Sequence, residues 1–361
     1  MKAAKLYGTR DLRIEEVEKP VPKEDEVLIK VGGCGICGSD LYMFKGGRWG
    51  PSLSTGLSSG PVPGVVLGHE AAGVVTEVGS KVGSLHNKGI EVGDRVAPIP
   101  NHHCRQCVPC QRGLFQYCEN MWVYGINRDG GFAEYMTALW YDCIKLPPNV
   151  TDEEGTFMEP AGLCYVSVEV SGVHPGQSCA VFGTGREGLV IMQIARAFGA
   201  RPVIAIEPVK ERREKAKVLG ANVVVDPTTE DPVKRILEET QGLGVDVAIN
   251  ASNVREGYLA QQMIDSLCIS GKAMMFGGTQ EIPPASWKKL CEKQIFVLPT
   301  REMTTISQSW FQGYQAVRMM QTGLLNVKDI ISHRLPVEEV EHGFELMEKS
   351  PKDYIKAVII P

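Results

Sequence analysis

Residues 178–200 read "SCAVFGTGREGLVIMQIARAFGA". An apolar run ends in a glycine turn, and a stretch with helical spacing follows. Gly183, Gly185 and Gly188 spell G-x-G-x-x-G. That motif carries weight only where a strand precedes it and a helix follows, and both conditions hold here. The glycines allow a tight turn and close backbone approach, and the free N–H groups of the helix N-terminus then face a pyrophosphate.

The same alternation continues outward. "RPVIAIEP" (201–208) is a second buried strand and "VKERREKAKVLGA" (209–221) a second helix. "NVVVDP", "VDVAINAS", "GKAMMFGG" and "QIFVLPT" extend the series of buried strands, with helical segments between several of them. Strand and helix in alternation predict a parallel, doubly wound α/β sheet. Glu207 ends the second strand, nineteen residues after Gly188. A carboxylate there accepts hydrogen bonds from an adenosine ribose and repels a 2′-phosphate, which favours NAD over NADP. Lys210, Arg212 and Arg213 lie just beyond and soften that preference; Arg212 joins the candidate cofactor-binding residues. Arg186, inside the turn, is either a phosphate contact or an exposed side chain.

Upstream the character differs. "DEVLIKVGGCGIC", "AAGVVTEVG" and "GDRVAPIP" are short β-like runs between glycine turns, which predict a folded-over all-β unit. Downstream, "WFQGYQAVRMMQTGL" (310–324) and "VEEVEHGFELMEKSP" (337–351) have amphipathic helical spacing, and "YIKAVIIP" (354–361) is a terminal strand. The expected organisation is a β-rich domain over 1–155, a nucleotide-binding domain over 156–299, and a return to the first domain over 300–361. The loop-like segment 47–64 is a candidate lid.

The 361 residues suit two domains. A hydrophobic content of 43% with 22% charged residues fits a globular protein, and a net charge of −5 opposes nucleic acid as the main partner. The stretch "MKAAKLYGTRDLRIEEVEKP" (1–20) has no apolar h-region and no run elsewhere is long enough to span a bilayer, which predicts a cytoplasmic protein with no membrane partner. Its eleven cysteines are then thiols and metal ligands rather than disulfides.

Four of those cysteines, Cys104, Cys107, Cys110 and Cys118, have the spacing C-x2-C-x2-C-x7-C. Four thiolates close a tetrahedral Zn²⁺ shell and leave no place for substrate, so this site is structural, with His102 and His103 as bystanders. A catalytic zinc needs mixed ligands and an open position. Cys37 in "GICGSD" and His69 with Glu70 in "GHEAAG" offer such ligands.

Taken in order, "GICGSD" (35–40), "GHEAAGVV" (68–75), "GDRV" (93–96), the four cysteines, "GGFAEY" (130–135), "MEPAG" (158–162) and the glycine turn resemble the zinc-dependent medium-chain dehydrogenases/reductases. The resemblance runs over essentially the whole chain and leans to the polyol and threonine dehydrogenase branch, because Glu159 stands where ethanol-type enzymes have a cysteine. It implies a GroES-like catalytic domain, a Rossmann domain and an active site in the cleft between them. It also implies a catalytic zinc on Cys37 and His69, completed by Glu70 or Glu159 directly or through water, beside the structural zinc.

The implied activity is reversible hydride transfer between a secondary alcohol, such as a polyol, cyclic alcohol or hydroxy-amino acid, and NAD. The implied partners are a small alcohol or ketone and other copies of the chain, a tetramer rather than a dimer. Ser39 matches the hydroxyl that takes the proton from the substrate. Many relatives end that relay with a histidine five residues after the cysteine, where this chain has Tyr42; with an ordinary pKa near 10, tyrosine is a poor base at neutral pH. Asp40 is read as structural support. Tyr42, Met43, Phe44, Trp49 and Trp122 either wall the substrate pocket or pack the core. Two other readings are a zinc-free reductase of activated double bonds on the same fold and a non-enzymatic zinc-binding adaptor.

Overall fold

A computed structural model describes residues 1–47, 61–83, 89–254, 256–277, 281–299 and 309–361. The chain divides into two compact units. One comprises Met1–Gly162, Thr305–Thr322 and Val327–Pro361, and the other Leu163–Thr304 and Gly323–Asn326. Most of the candidate lid, residues 48–60 with Trp49, lies outside the described residues.

The first unit is built on the strand Glu26–Gly35, whose valines, leucine and isoleucine are buried along nearly its full length. A strand buried on both faces needs neighbours along both edges. Its first half pairs with Tyr135–Leu139, and the strand Glu70–Val78 runs antiparallel along its other edge. Its last residues pair with the terminal strand Ala357–Ile360. Arg95–Pro98, Cys143–Lys145 and His333–Pro336 complete a seven-stranded sheet among the described residues. The pairing is irregular between Val31 and Gly33, opposite Gly73. A Cβ on Gly73 would collide with the Lys30 carbonyl, so glycine is what lets the two backbones come that close.

A second sheet, with Lys2–Gly8 between Asp11–Glu16 and Val65–Val66, closes over the same apolar core, which includes Leu6, Ile29, Ile36, Phe44, Phe132 and Phe344. The expected C-terminal amphipathic segments form the helices Ser309–Gln321 and Val340–Lys349, the latter preceded by a short 3-10 turn at Val337–Glu339.

Among the described residues of the second unit six strands are all parallel. Their order is Val223–Val225, Val203–Ile206, Cys179–Phe182, Val245–Asn250, Leu267–Met275, Phe296–Pro299. Chain order reverses direction between Cys179–Phe182 and Val245–Asn250. That is the switch point of a doubly wound sheet, outside whose strand ends ligands bind. Helices Arg186–Ala197, Lys210–Val218, Pro232–Glu239 and Gly257–Ser266 connect the strands. The Arg186–Ala197 helix buries an unbroken run from Gly188 to Ala195, as an apolar crossover helix must.

Candidate metal centre and nucleotide site

Register brings the first candidate ligands together. Gly35, the last residue of one strand, pairs with Glu70, the first of the next. The backbone leaves Gly35 through Ile36 to Cys37, which caps the short helix Gly38–Phe44. As a result one ligand atom each from Cys37, His69 and Glu70 lies within 4.8 Å of the others. Asp40, fully buried on that helix, accepts the Cys37 N–H through Oδ2 at 2.8 Å. Its Oδ1 lies 3.3 Å from Nδ1 of His69.

Burial by itself would lower the pKa of His69, but the adjacent Asp40 carboxylate and Cys37 outweigh it and hold the ring well above its usual value. A carboxylate on Nδ1 orients the ring and leaves Nε2 as the ligand atom. A thiolate, an imidazole and a carboxylate with a buried orienting partner are the donor set of an open zinc site, and these residues fit that ion.

The other expected site residues sit as follows. Ser39 is half-buried in the first turn after Cys37. Glu159, also half-buried, lies in the first turn of the helix Met158–Ser171, an element not recognised in the sequence, and is not one of the three clustered groups. Tyr42 is 54% exposed, whereas Met43 and Phe44 pack in the core. Trp122 stacks on His102 at 4.5 Å and under the Arg128 guanidinium at 4.3 Å, and it packs against the apolar core of the first unit. One residue was missed altogether: Lys356, fully buried, donates to Glu70 Oε2 and, at 2.9 Å, to the Ile36 carbonyl. The available signal was a lone cation inside the apolar run "YIKAVII".

Cys104, Cys107, Cys110 and Cys118 also bring their sulfurs within 4.8 Å of one another. Cys107 caps the one-turn helix Val108–Gln111. The Cys104 sulfur accepts the Cys107 N–H at 3.4 Å, and the Cys118 sulfur accepts the Cys104 N–H at 3.3 Å. Backbone N–H groups of Gln106 and Cys107 lower the Cys104 pKa to about 6, while burial raises that of Cys110. His102 is engaged elsewhere, 3.4 Å from Asp142. All eleven cysteines are free of disulfides.

The glycine turn leaves the Cys179–Phe182 strand at the switch point. Gly183 has φ +90, and a Cβ on it would press on Ser252 at 2.8 Å. A Cβ on Gly188 would overlap the Gly183 carbonyl oxygen. Gly185 caps the helix and has open space around it among the described residues. Arg186 bonds the neighbouring Glu187 at 2.8 Å.

Glu207 is buried, and its carboxylate is engaged. Oε2 accepts the Thr184 N–H at 2.7 Å and Oε1 the Val209 N–H at 3.0 Å. Arg213 bonds the Glu207 and Pro208 carbonyls and pairs with Asp226 at 2.7 Å, and Arg212 is half-buried. Glu207 therefore ties the end of its strand to the glycine turn.

Residues 23–148 match the family model described as alcohol dehydrogenase GroES-like domain, and residues 188–320 that described as zinc-binding dehydrogenase. The chain is similar to L-threonine 3-dehydrogenase of Pyrococcus abyssi, 34% identical over 348 residues, which is 96% of this chain and 94% of the relative. Among solved structures it resembles 2R,3R-butanediol dehydrogenase from Bacillus subtilis, with a TM-score of 0.83 and 30% identity over 100% of this chain and 99% of that one. It also resembles a Sinorhizobium meliloti 1021 protein described as a zinc-binding dehydrogenase and bound to NADP, with a TM-score of 0.85 and 30% identity over the same shares.

Proposed function

The chain belongs to the zinc-dependent medium-chain dehydrogenase/reductase family, and on that premise we propose that it oxidises, reversibly, a secondary alcohol with NAD as hydride acceptor. The observation that carries this reading is the convergence of Cys37, His69 and Glu70 within 4.8 Å, with Asp40 behind the imidazole. In this reading Cys37 and His69 hold a catalytic zinc, Glu70 or Glu159 completes its shell, and Cys104, Cys107, Cys110 and Cys118 hold a structural one.

When bound, the zinc supplies a Lewis acid that lowers the pKa of an alcohol hydroxyl, and the nicotinamide supplies the hydride acceptor. The chain's own work is positional. Asp40 orients His69 and fixes the backbone at Cys37. Ser39, in the first turn after Cys37, receives the hydroxyl proton in this reading. Gly183, Gly185 and Gly188 admit the pyrophosphate to the helix N-terminus, with Arg186 beside it. Glu207 and Arg212 flank the adenosine ribose, and the Glu207 carboxylate supports NAD over NADP.

The threonine and butanediol named in the relatives both carry a secondary hydroxyl next to a second polar substituent. That vicinal pattern is the substrate class proposed here. A homo-tetramer and a cytoplasmic home belong to the same reading, the latter supported by eleven cysteines none of which is in a disulfide.

The test joins metal analysis to an activity screen. Two zinc ions per chain are expected, with one lost in Cys37→Ser. Turnover is expected with vicinal diols, polyols, cyclic alcohols or threonine, followed as NADH absorbance. A single zinc that Cys37→Ser retains would refute the catalytic centre and restore the zinc-free reductase reading.

A further inference from the structure

The Glu70 carboxylate is held from behind by Lys356, and three strands are shaped around that contact. Glu70 begins one strand, Gly35 ends its antiparallel neighbour, and Lys356 immediately precedes the terminal strand, whose Val358 also pairs with Gly35. The pair lies over the face of Gly35. A Cβ there would overlap Glu70 Oε2 and stand 2.8 Å from Lys356 Nζ, so the absence of a side chain at Gly35 makes room for the contact.

Glu70 is 1% exposed and Lys356 0%. The ammonium also donates to the Ile36 carbonyl at 2.9 Å, one residue from Cys37, and stands 5.7 Å from the centre of the Phe157 ring. Two opposite charges buried this deeply are held as a unit, because separating them strands a charge in an apolar interior.

We propose that Lys356 is a positioning residue of the metal centre: by binding one oxygen of Glu70 it weakens that carboxylate as a metal ligand and keeps a position on the metal open for substrate. This rests on the reading of Cys37, His69 and Glu70 as a metal site. A carboxylate oxygen engaged by an ammonium is a poorer donor, and the lysine charge offsets the anion the metal would otherwise attract. With the Lys356 charge removed, a metal held by Cys37 and His69 draws the buried Glu70 carboxylate more strongly, and the carboxylate becomes a firm ligand.

The test uses the full chain, loaded first with zinc and then with Co²⁺. Release of the non-cluster metal to a chelator is timed, and the visible Co²⁺ bands report coordination number. In Lys356→Met the release slows about tenfold, the scale at which groups behind a ligand alter metal affinity, and the Co²⁺ bands weaken as a fifth ligand joins. Glu70→Gln combined with Lys356→Met removes both charges and abolishes the slowing. If Lys356→Met does not accumulate folded, Lys356→Gln, which keeps an N–H donor without the charge, gives the same two readouts.

Wild-type release rates and an unchanged Co²⁺ spectrum, in protein carrying both metals, overturn the role of Lys356 alone. A wild-type chain that retains metal only at the four cysteines overturns the metal-site reading, and this inference with it.

Discussion

Oδ1 of Asp40 lies 3.3 Å from Nδ1 of His69, while the other oxygen of the same carboxylate accepts the Cys37 N–H at 2.8 Å. One buried anion thus sets the orientation of one candidate ligand and the backbone of the other. Asp40→Asn keeps an acceptor for Cys37 and removes the charge behind the ring. The expected outcome is a folded protein that binds one of its two metals about 10–100-fold more weakly, measured by chelator competition. Equal loss of both metals would mean that the substitution had disturbed the unit as a whole.

The four cysteines are not equivalent. Backbone N–H groups of Gln106 and Cys107 hold the Cys104 pKa at about 6, below the ordinary thiol value, whereas burial raises Cys110. Because the Cys104 pKa is lowered, its thiolate persists as pH falls from 9 and is lost only on passing about 6. In metal-stripped protein at pH 7, Cys104 is therefore the first of the four to react with iodoacetamide, and the pH midpoint of its alkylation lies near 6. Loading the metal protects it. Peptide mapping after timed alkylation checks the order, and Cys110 reacting first would contradict it.

These two centres differ in how plainly the sequence announces them, and the difference is physical. Four thiols within fifteen residues are a local pattern, set by one loop and one helical turn. Cys37, His69 and Glu70 meet only through the register that sets Gly35 against Glu70, a fact of sheet pairing that spacing does not encode. The order of family motifs supplied what local pattern could not. Lys356 escaped notice because a charge in an apolar strand is intelligible only once its partner, 286 residues away, is known. Trp122 could not be divided between pocket wall and core until its stacking with His102 and Arg128 was visible. The parallel sheet was the most legible part, since strand and helix periods alternate there within single windows.

Glu207 illustrates how the structure alters an expectation. Read as a ribose acceptor, it predicts that Glu207→Ala loses NAD preference. The carboxylate also braces the glycine turn through Thr184, so alanine should weaken NADH and NADPH together. Glu207→Gln keeps more of the brace than alanine does: its amide oxygen still accepts the Thr184 N–H, the Val209 N–H loses its acceptor, and the charge that repels a 2′-phosphate is gone. The expected result is a shift of about tenfold toward NADPH, the scale of one screened charge–charge interaction, with a loss of stability of about 1 kcal/mol for the one hydrogen bond dropped. Fluorescence titration with both cofactors decides it; a cofactor ratio unmoved in Glu207→Gln would remove the carboxylate from cofactor choice.

Gly185 and Gly188 separate a binding role from a folding role within one turn. A Cβ on Gly188 overlaps the Gly183 carbonyl oxygen and stands 3.4 Å from Ala251 Cβ, so Gly188→Ala forces the helix away from the strand. Overpacking of that kind costs about 1–3 kcal/mol, and cofactor affinity falls with it. Gly185 has open space around its Cβ position among the described residues and an ordinary negative φ of −65 that alanine also adopts. Alanine there loses at most about 1 kcal/mol, as an inferior helix cap. Its methyl group instead enters the space proposed for the pyrophosphate. Gly185→Ala should therefore melt within a few degrees of wild type yet bind NADH at least about tenfold more weakly, a loss of about 1.4 kcal/mol. Melting curves paired with NADH titrations test both variants. If Gly185→Ala binds NADH at full strength, the pyrophosphate does not approach the turn at that residue.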